Sequence, residues 1–107
     1  MGLESNFQKK LKAEIKERFP GCYVLKNDPN DIQGIPDLTI LYEDKWATLE
    51  VKKDKNAKHR PNQDIHVERM NKMSFSAFIY PENKEDILND LEQSFKSPGK
   101  ARNTKSK

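Results

Sequence analysis

Residues 34–53 read GIPDLTILYEDKWATLEVKK. Within them Leu38, Ile40 and Tyr42 alternate with Thr39, Leu41 and Glu43, and Ala47, Leu49 and Val51 alternate with Thr48, Glu50 and Lys52. A period of two among apolar, β-branched and aromatic residues marks half-buried strands. Glu43, Asp44 and Lys45 place no apolar side chain between the two runs. A turn is expected there, although the Asn-Gly pair favoured by two-residue hairpin loops is absent. The stretch predicts a β-hairpin.

With Asp44-Lys45 as a two-residue loop, Glu43 faces Trp46, Thr39 faces Glu50 and Asp37 faces Lys52. Residues opposite one another share a face of the sheet. Asp37, Glu50 and Lys52 then project from one face, while Leu38, Ile40, Ala47, Leu49 and Val51 fill the other. A slip of one residue would push the apolar set into water. Two carboxylates and a lysine on one face suit a hard cation and phosphoryl chemistry. Carboxylate oxygens bind Mg²⁺, which keeps several waters and accepts substrate phosphate oxygens. Such a cation lowers the pKa of a bound water, and a neighbouring ammonium stabilises charge in the transition state. The same spacing also describes a solvated strand face with one ion pair, since about a quarter of residues in a typical chain are charged. Spacing alone leaves both readings open.

Pro36-Asp37, twelve intervening residues and then Glu50-Val51-Lys52 resemble the PD-(D/E)XK nuclease motif. With Gly34-Ile35 before it and Gln63 downstream, the string is similar to the VRR-NUC branch, the virus-type replication-repair nucleases, over residues 4–80. The resemblance implies an α/β fold with an αβββαβ core, a central mixed sheet flanked by helices. It implies Mg²⁺ or Mn²⁺ held by Asp37, Glu50 and the Val51 carbonyl, with Lys52 activating or orienting the attacking water. The family places a glutamate early in the first helix and a glutamine in the helix after the hairpin, and Glu4 and Gln63 match those positions. Stand-alone members resemble Holliday-junction resolvases, which implies a homodimer acting on branched or four-way DNA in repair or recombination. A phage-encoded enzyme in a bacterial host fits that pattern.

At 107 residues the chain is expected to be one domain over residues 1–96, followed by a disordered basic tail over residues 97–107. Only 34% of it is hydrophobic and 35% is charged, so the core is small and help from a partner subunit is plausible. Lys100, Arg102, Lys105 and Lys107 carry +4 in the tail against a net charge of +3, leaving the remainder at −1. Affinity for a polyanion must then come from local patches and the tail. The single cysteine, Cys22, excludes a disulfide framework and a Cys-rich zinc site. No apolar run approaches the roughly 18 residues of a membrane span. The N-terminus lacks a signal-peptide core, and Asn6 stands where the Gly2 myristoylation pattern needs Ser or Thr. A cytoplasmic protein without membrane contact is expected.

Leu3, Phe7, Leu11, Ile15 and Phe19 recur every four residues, an amphipathic helix ended by Pro20-Gly21. Glu4 sits in its first turn, where a carboxylate is also favoured by the helix dipole. Residues 22–25 read as a first strand. Lys26, at the start of a polar loop, is either solvated or leans over the site to contact a phosphate. Gln33-Gly34 supplies flexibility before Pro36. After the hairpin, Lys53, Lys55, Lys58, His59 and Arg60 form a basic loop that is either solvated or grips a nucleic-acid backbone. Pro61 opens a helix with Gln63 near its start and Ile65, Arg69, Met70 and Met73 along it. His59 and His66 read as non-ligands. Residues 77–80 form a fourth strand, and Ile87, Leu88, Leu91 and Phe95 mark the buried stripe of a last helix. The resulting order is α-β-β-β-α-β-α. A metal-dependent DNA endonuclease is the leading expectation. Its rivals are a sequence-preferring nuclease of homing or restriction type and an inactive nuclease-like DNA-binding module.

Overall fold

In a computed structural model describing residues 2–97, the chain runs α1 (Leu3–Arg18), β1 (Tyr23–Lys26), β2 (Leu38–Tyr42), β3 (Lys45–Val51), α2 (Pro61–Met73), β4 (Phe75–Ile79) and α3 (Lys84–Lys96). A single 3₁₀ turn, Pro81–Asn83, leads into α3. The sheet order is β1-β2-β3-β4, antiparallel except for the parallel β3–β4 pair. Parallel neighbours need a crossover, and α2 supplies it. The chain is therefore α/β, with a four-stranded mixed sheet flanked by helices. Most of the expected basic tail, residues 98–107, lies outside the described residues.

The hairpin register differs from the sequence reading. Tyr42 pairs with Lys45, so Glu43-Asp44 form the loop, and Thr39 faces Thr48 rather than Glu50. Glu43 takes a left-handed φ of 58°, a position that costs a non-glycine residue. Lys45, expected in the turn, instead begins β3. The shift moves every partner by two residues, and two is the side-chain period of a strand. The faces are therefore as expected even though the partners are not.

Leu38, Ile40, Ala47, Leu49 and Val51 are fully buried on one face. They form one cluster with Leu11, Ile15 and Phe19 of the α1 segment, with Ile79 of β4 and with Leu88, Leu91 and Phe95 of α3. Phe19, Tyr42 and Phe95 meet with ring centroids 5.2–5.4 Å apart. Arg18 reaches Glu92 and Asn89, and Lys84 reaches Glu14, so polar side chains clasp α1 to α3. The α1 stripe is buried from Leu11 onward. Phe7 is partly buried, and Leu3 is exposed. On the opposite face α2 packs over β3 and β4, where Thr48 Oγ1 meets Ser76 Oγ at 2.7 Å and Met70 Sδ at 3.4 Å. No helix among the described residues is long and apolar enough to cross a membrane.

Candidate active site

Extending the Leu38–Leu49 pair by one residue sets Asp37 across from Glu50, not Lys52. Two carboxylates, rather than a carboxylate and an ammonium, face each other where β2 and β3 part. Asp37 is anchored at two points. Its Oδ2 accepts the Val51 N–H at 2.9 Å, and its carbonyl accepts the Asn27 N–H at 2.8 Å. Asn27 Nδ2 in turn donates to the Pro36 carbonyl at 2.9 Å and to Thr39 Oγ1 at 2.8 Å. Sequence reasoning missed Asn27. Its only signal was an amide at the end of a strand, opening a loop of turn-forming residues.

Glu50 is 3% exposed. Its Oε2 accepts Gln63 Nε2 at 2.9 Å and lies 3.6 Å from Lys52 Nζ. Its Oε1 is buried with no hydrogen-bond partner, the one such side-chain atom among the described residues. Burial pushes the carboxyl up to about 8, and the neighbouring Asp37 adds to the rise. Lys52 pulls the other way, and Glu4 contributes a further small upward push. A buried carboxylate with one oxygen unanswered and a second carboxylate opposite is short of positive charge.

Lys52 shares the Glu50 face and is 7% exposed. Its Nζ donates to Gln63 Oε1 at 2.7 Å and to the Lys58 carbonyl at 3.1 Å. Gln63 is therefore the hub: its Oε1 also accepts the Arg60 N–H at 2.9 Å, while its Nε2 serves Glu50. That Arg60 contact is half of a capping box, with Pro61 in the first turn and Gln63 three residues past the cap. One side chain both starts α2 and braces the site. Gly34 sets how closely α2 can approach. Its φ is +83°, and a Cβ there would lie 2.5 Å from Asn62 Cβ and 2.9 Å from the Asn62 carbonyl carbon. The expected flexibility of Gln33-Gly34 is thus replaced by close packing, with His66 Nε2 3.1 Å from the Gln33 carbonyl.

These groups line an open cleft of about 1150 Å³. Glu4, Asp37, Glu50, Lys52 and Gln63 all border it, and Lys53, Lys58 and Arg60 bring cations to its wall. Lys26 and Lys55 do not line it. Lys26 pairs with Leu38, so its side chain leaves on the α1 face, where Nζ donates to the buried Gln8 at 3.2 Å. Lys55 is exposed in the loop. His59 also borders the cleft, with its ring stacked on Phe78 and Nδ1 2.8 Å from Asp64 Oδ1. Among the described residues no group of three or more His, Cys, Asp or Glu is placed to hold a metal ion. Glu4 borders the cleft and acts on Glu50 through its charge. Mg²⁺ that retains waters and takes phosphate oxygens needs only one or two carboxylates, and the Asp37–Glu50 pair meets that requirement.

No family model, curated protein or solved structure matches the chain.

Proposed function

We propose that this chain is a Mg²⁺- or Mn²⁺-dependent DNA endonuclease of the PD-(D/E)XK type, similar to the VRR-NUC nucleases. The observation that carries the reading is the buried, unpartnered Glu50 Oε1 beside Asp37. Asp37 and Glu50 would hold the cation. The Val51 N–H points at Asp37, and in an extended strand a residue's N–H and C=O leave on the same side. The Val51 carbonyl is therefore the natural third protein oxygen. The bound cation would acidify a water and neutralise charge developing on phosphorus.

The chain's own residues supply the rest. Lys52 Nζ has its third N–H only loosely engaged, 3.6 Å from Glu50 Oε2, and can turn it to the attacking water or a phosphate oxygen. Gln63 holds Lys52 and Glu50 in fixed relation, so both enter the reaction pre-oriented. Lys53, Lys58 and Arg60 would contact flanking phosphates. Water oxygen attacks phosphorus in line, the phosphorus–oxygen ester bond breaks, and the leaving oxygen takes up a proton. Preference for branched or four-way DNA and assembly as a homodimer belong to the proposal through the family resemblance alone.

The test is incubation of pure protein with end-labelled duplex, flap and four-way DNA, in chelator and with Mg²⁺ or Mn²⁺. Cleavage should require the metal and vanish in Asp37→Asn and Glu50→Gln proteins that keep their fold. Robust cleavage by either variant would remove the site.

A further inference from the structure

The sequence reading took His59 for a non-ligand within a basic loop, and the fold builds it into the wall of the cleft. Its imidazole lies flat on Phe78, with ring centroids 3.9 Å apart and planes 9° from parallel. Asp64 Oδ1 holds Nδ1 at 2.8 Å. The side chain nonetheless keeps 36% of its surface exposed. One face rests on Phe78 and one edge on Asp64, and the ring borders the open cleft. Phe78 is the direct partner of Glu50 in the β3–β4 pair, and paired residues project from the same face. Adjacent strands lie about 4.8 Å apart. Phe78 and then His59 therefore rise in a stack directly beside the carboxylate, flanked along the chain by Lys58 and Arg60.

A flat ring held rigidly on a second aromatic, between two cations, has the makings of a surface for a nucleobase. Base–aromatic stacking needs an open π-face and tolerates any sequence, while neighbouring Lys and Arg hold the backbone. In a duplex the base faces are covered by their neighbours, so only an unstacked base can use such a ring. We infer that His59, backed by Phe78, is a stacking platform for an unpaired base next to the scissile phosphate. The cleft accordingly takes DNA strands with an unstacked nucleotide at the cut, as in single strands, flaps and branch points. This rests on the nuclease reading for the position of the cut, but not for the stacking itself.

The experiment measures binding in chelator, where no cleavage occurs. Wild type, His59→Ala and His59→Phe would be titrated into single-stranded and duplex oligonucleotides carrying a central 2-aminopurine, whose fluorescence reports stacking. Wild type should bind the single strand with a change in 2-aminopurine emission. His59→Ala should weaken that binding by roughly 5- to 150-fold, the range for loss of one stacking aromatic, and leave duplex binding nearly unchanged. His59→Phe, which keeps an aromatic ring on Phe78, should stay near wild type and also covers the case in which the alanine variant fails to fold. A phenylalanine variant as weak as the alanine one, or equal losses on both DNAs, would overturn the platform. Absence of DNA binding by wild type would overturn it together with the nuclease reading. His59-dependent single-strand binding without cleavage in Mg²⁺ would support the platform and remove the nuclease reading alone.

Discussion

Replacing Glu50 with glutamine should reverse the usual cost of altering a buried residue, and do so only at alkaline pH. In the folded, metal-free protein the Glu50 carboxyl is raised from 4.5 to about 8, first by burial and then by Asp37. The folded state thus holds this proton more tightly than the unfolded chain. Below the unfolded value both states are protonated and Glu50 imposes no penalty. As pH rises through the window between the two values, stability falls by up to about 1.4 kcal/mol per unit, and above it the full penalty persists. The whole rise corresponds to an upper bound of about 5 kcal/mol, and water entering the open cleft screens the ion, so about 2–5 kcal/mol is expected. Glutamine mimics the protonated state at every pH. It can still pair with Gln63, but its amide nitrogen or oxygen inherits the unpartnered Oε1 position, costing about 1–3 kcal/mol independently of pH. The clean observable is therefore the change in the stability difference between variant and wild type from pH 5 to pH 9. Urea denaturation followed by circular dichroism in chelator measures it. The difference should move in favour of Glu50→Gln by about 2–4 kcal/mol across that range. Excess Mg²⁺ should stabilise wild type at pH 9 and not the variant. A difference that stays flat with pH would show that Glu50 is not a charge-starved carboxylate, and the argument for a cation there would fall.

Lys52→Ala should lower single-turnover cleavage at saturating protein by roughly 10²–10³, whereas Lys53→Ala, exposed on the cleft wall, should weaken DNA binding and leave that rate nearly unchanged; equal losses would refute the assignment of Lys52 to the reacting phosphate. Gly34→Ala should cost about 2–3 kcal/mol, because it combines a strained φ with a collision against Asn62, and thermal denaturation should show a lowered midpoint; an unchanged midpoint would mean that α2 is free to move. Glu43→Gly should raise stability by about 0.5–1 kcal/mol by relieving the left-handed turn position, a gain that urea denaturation resolves and whose absence would refute strain there. Deleting residues 97–107 removes four positive charges, so DNA affinity should fall and its salt dependence become shallower while cleavage at saturation persists; loss of turnover at saturation would show a role in chemistry.

Local pattern was enough for the elements and for the faces of the hairpin. Alternation over residues 38–52 placed Leu38, Ile40, Ala47, Leu49 and Val51 on the buried side and Asp37, Glu50 and Lys52 on the other, because strand side chains repeat every two residues whatever the pairing. The same parity explains why a register wrong by two residues left the faces right. Which residue meets which was not legible. It depends on Glu43 accepting a left-handed turn that no favoured turn residue announced, and that choice sets Asp37 against Glu50 instead of Lys52. Gln63 could be singled out by its resemblance to a motif, but its triple engagement with Glu50, Lys52 and Arg60 requires α2 to dock against Gly34, a contact 28 residues away in sequence from Asn62. Asn27 and His59 acquire their places only when β1 pairs with β2 and β4 pairs with β3. Period and composition are local properties and survive in the sequence. The burial that deprives Glu50 Oε1 of a partner is a property of three packed layers, and only the tertiary structure creates it.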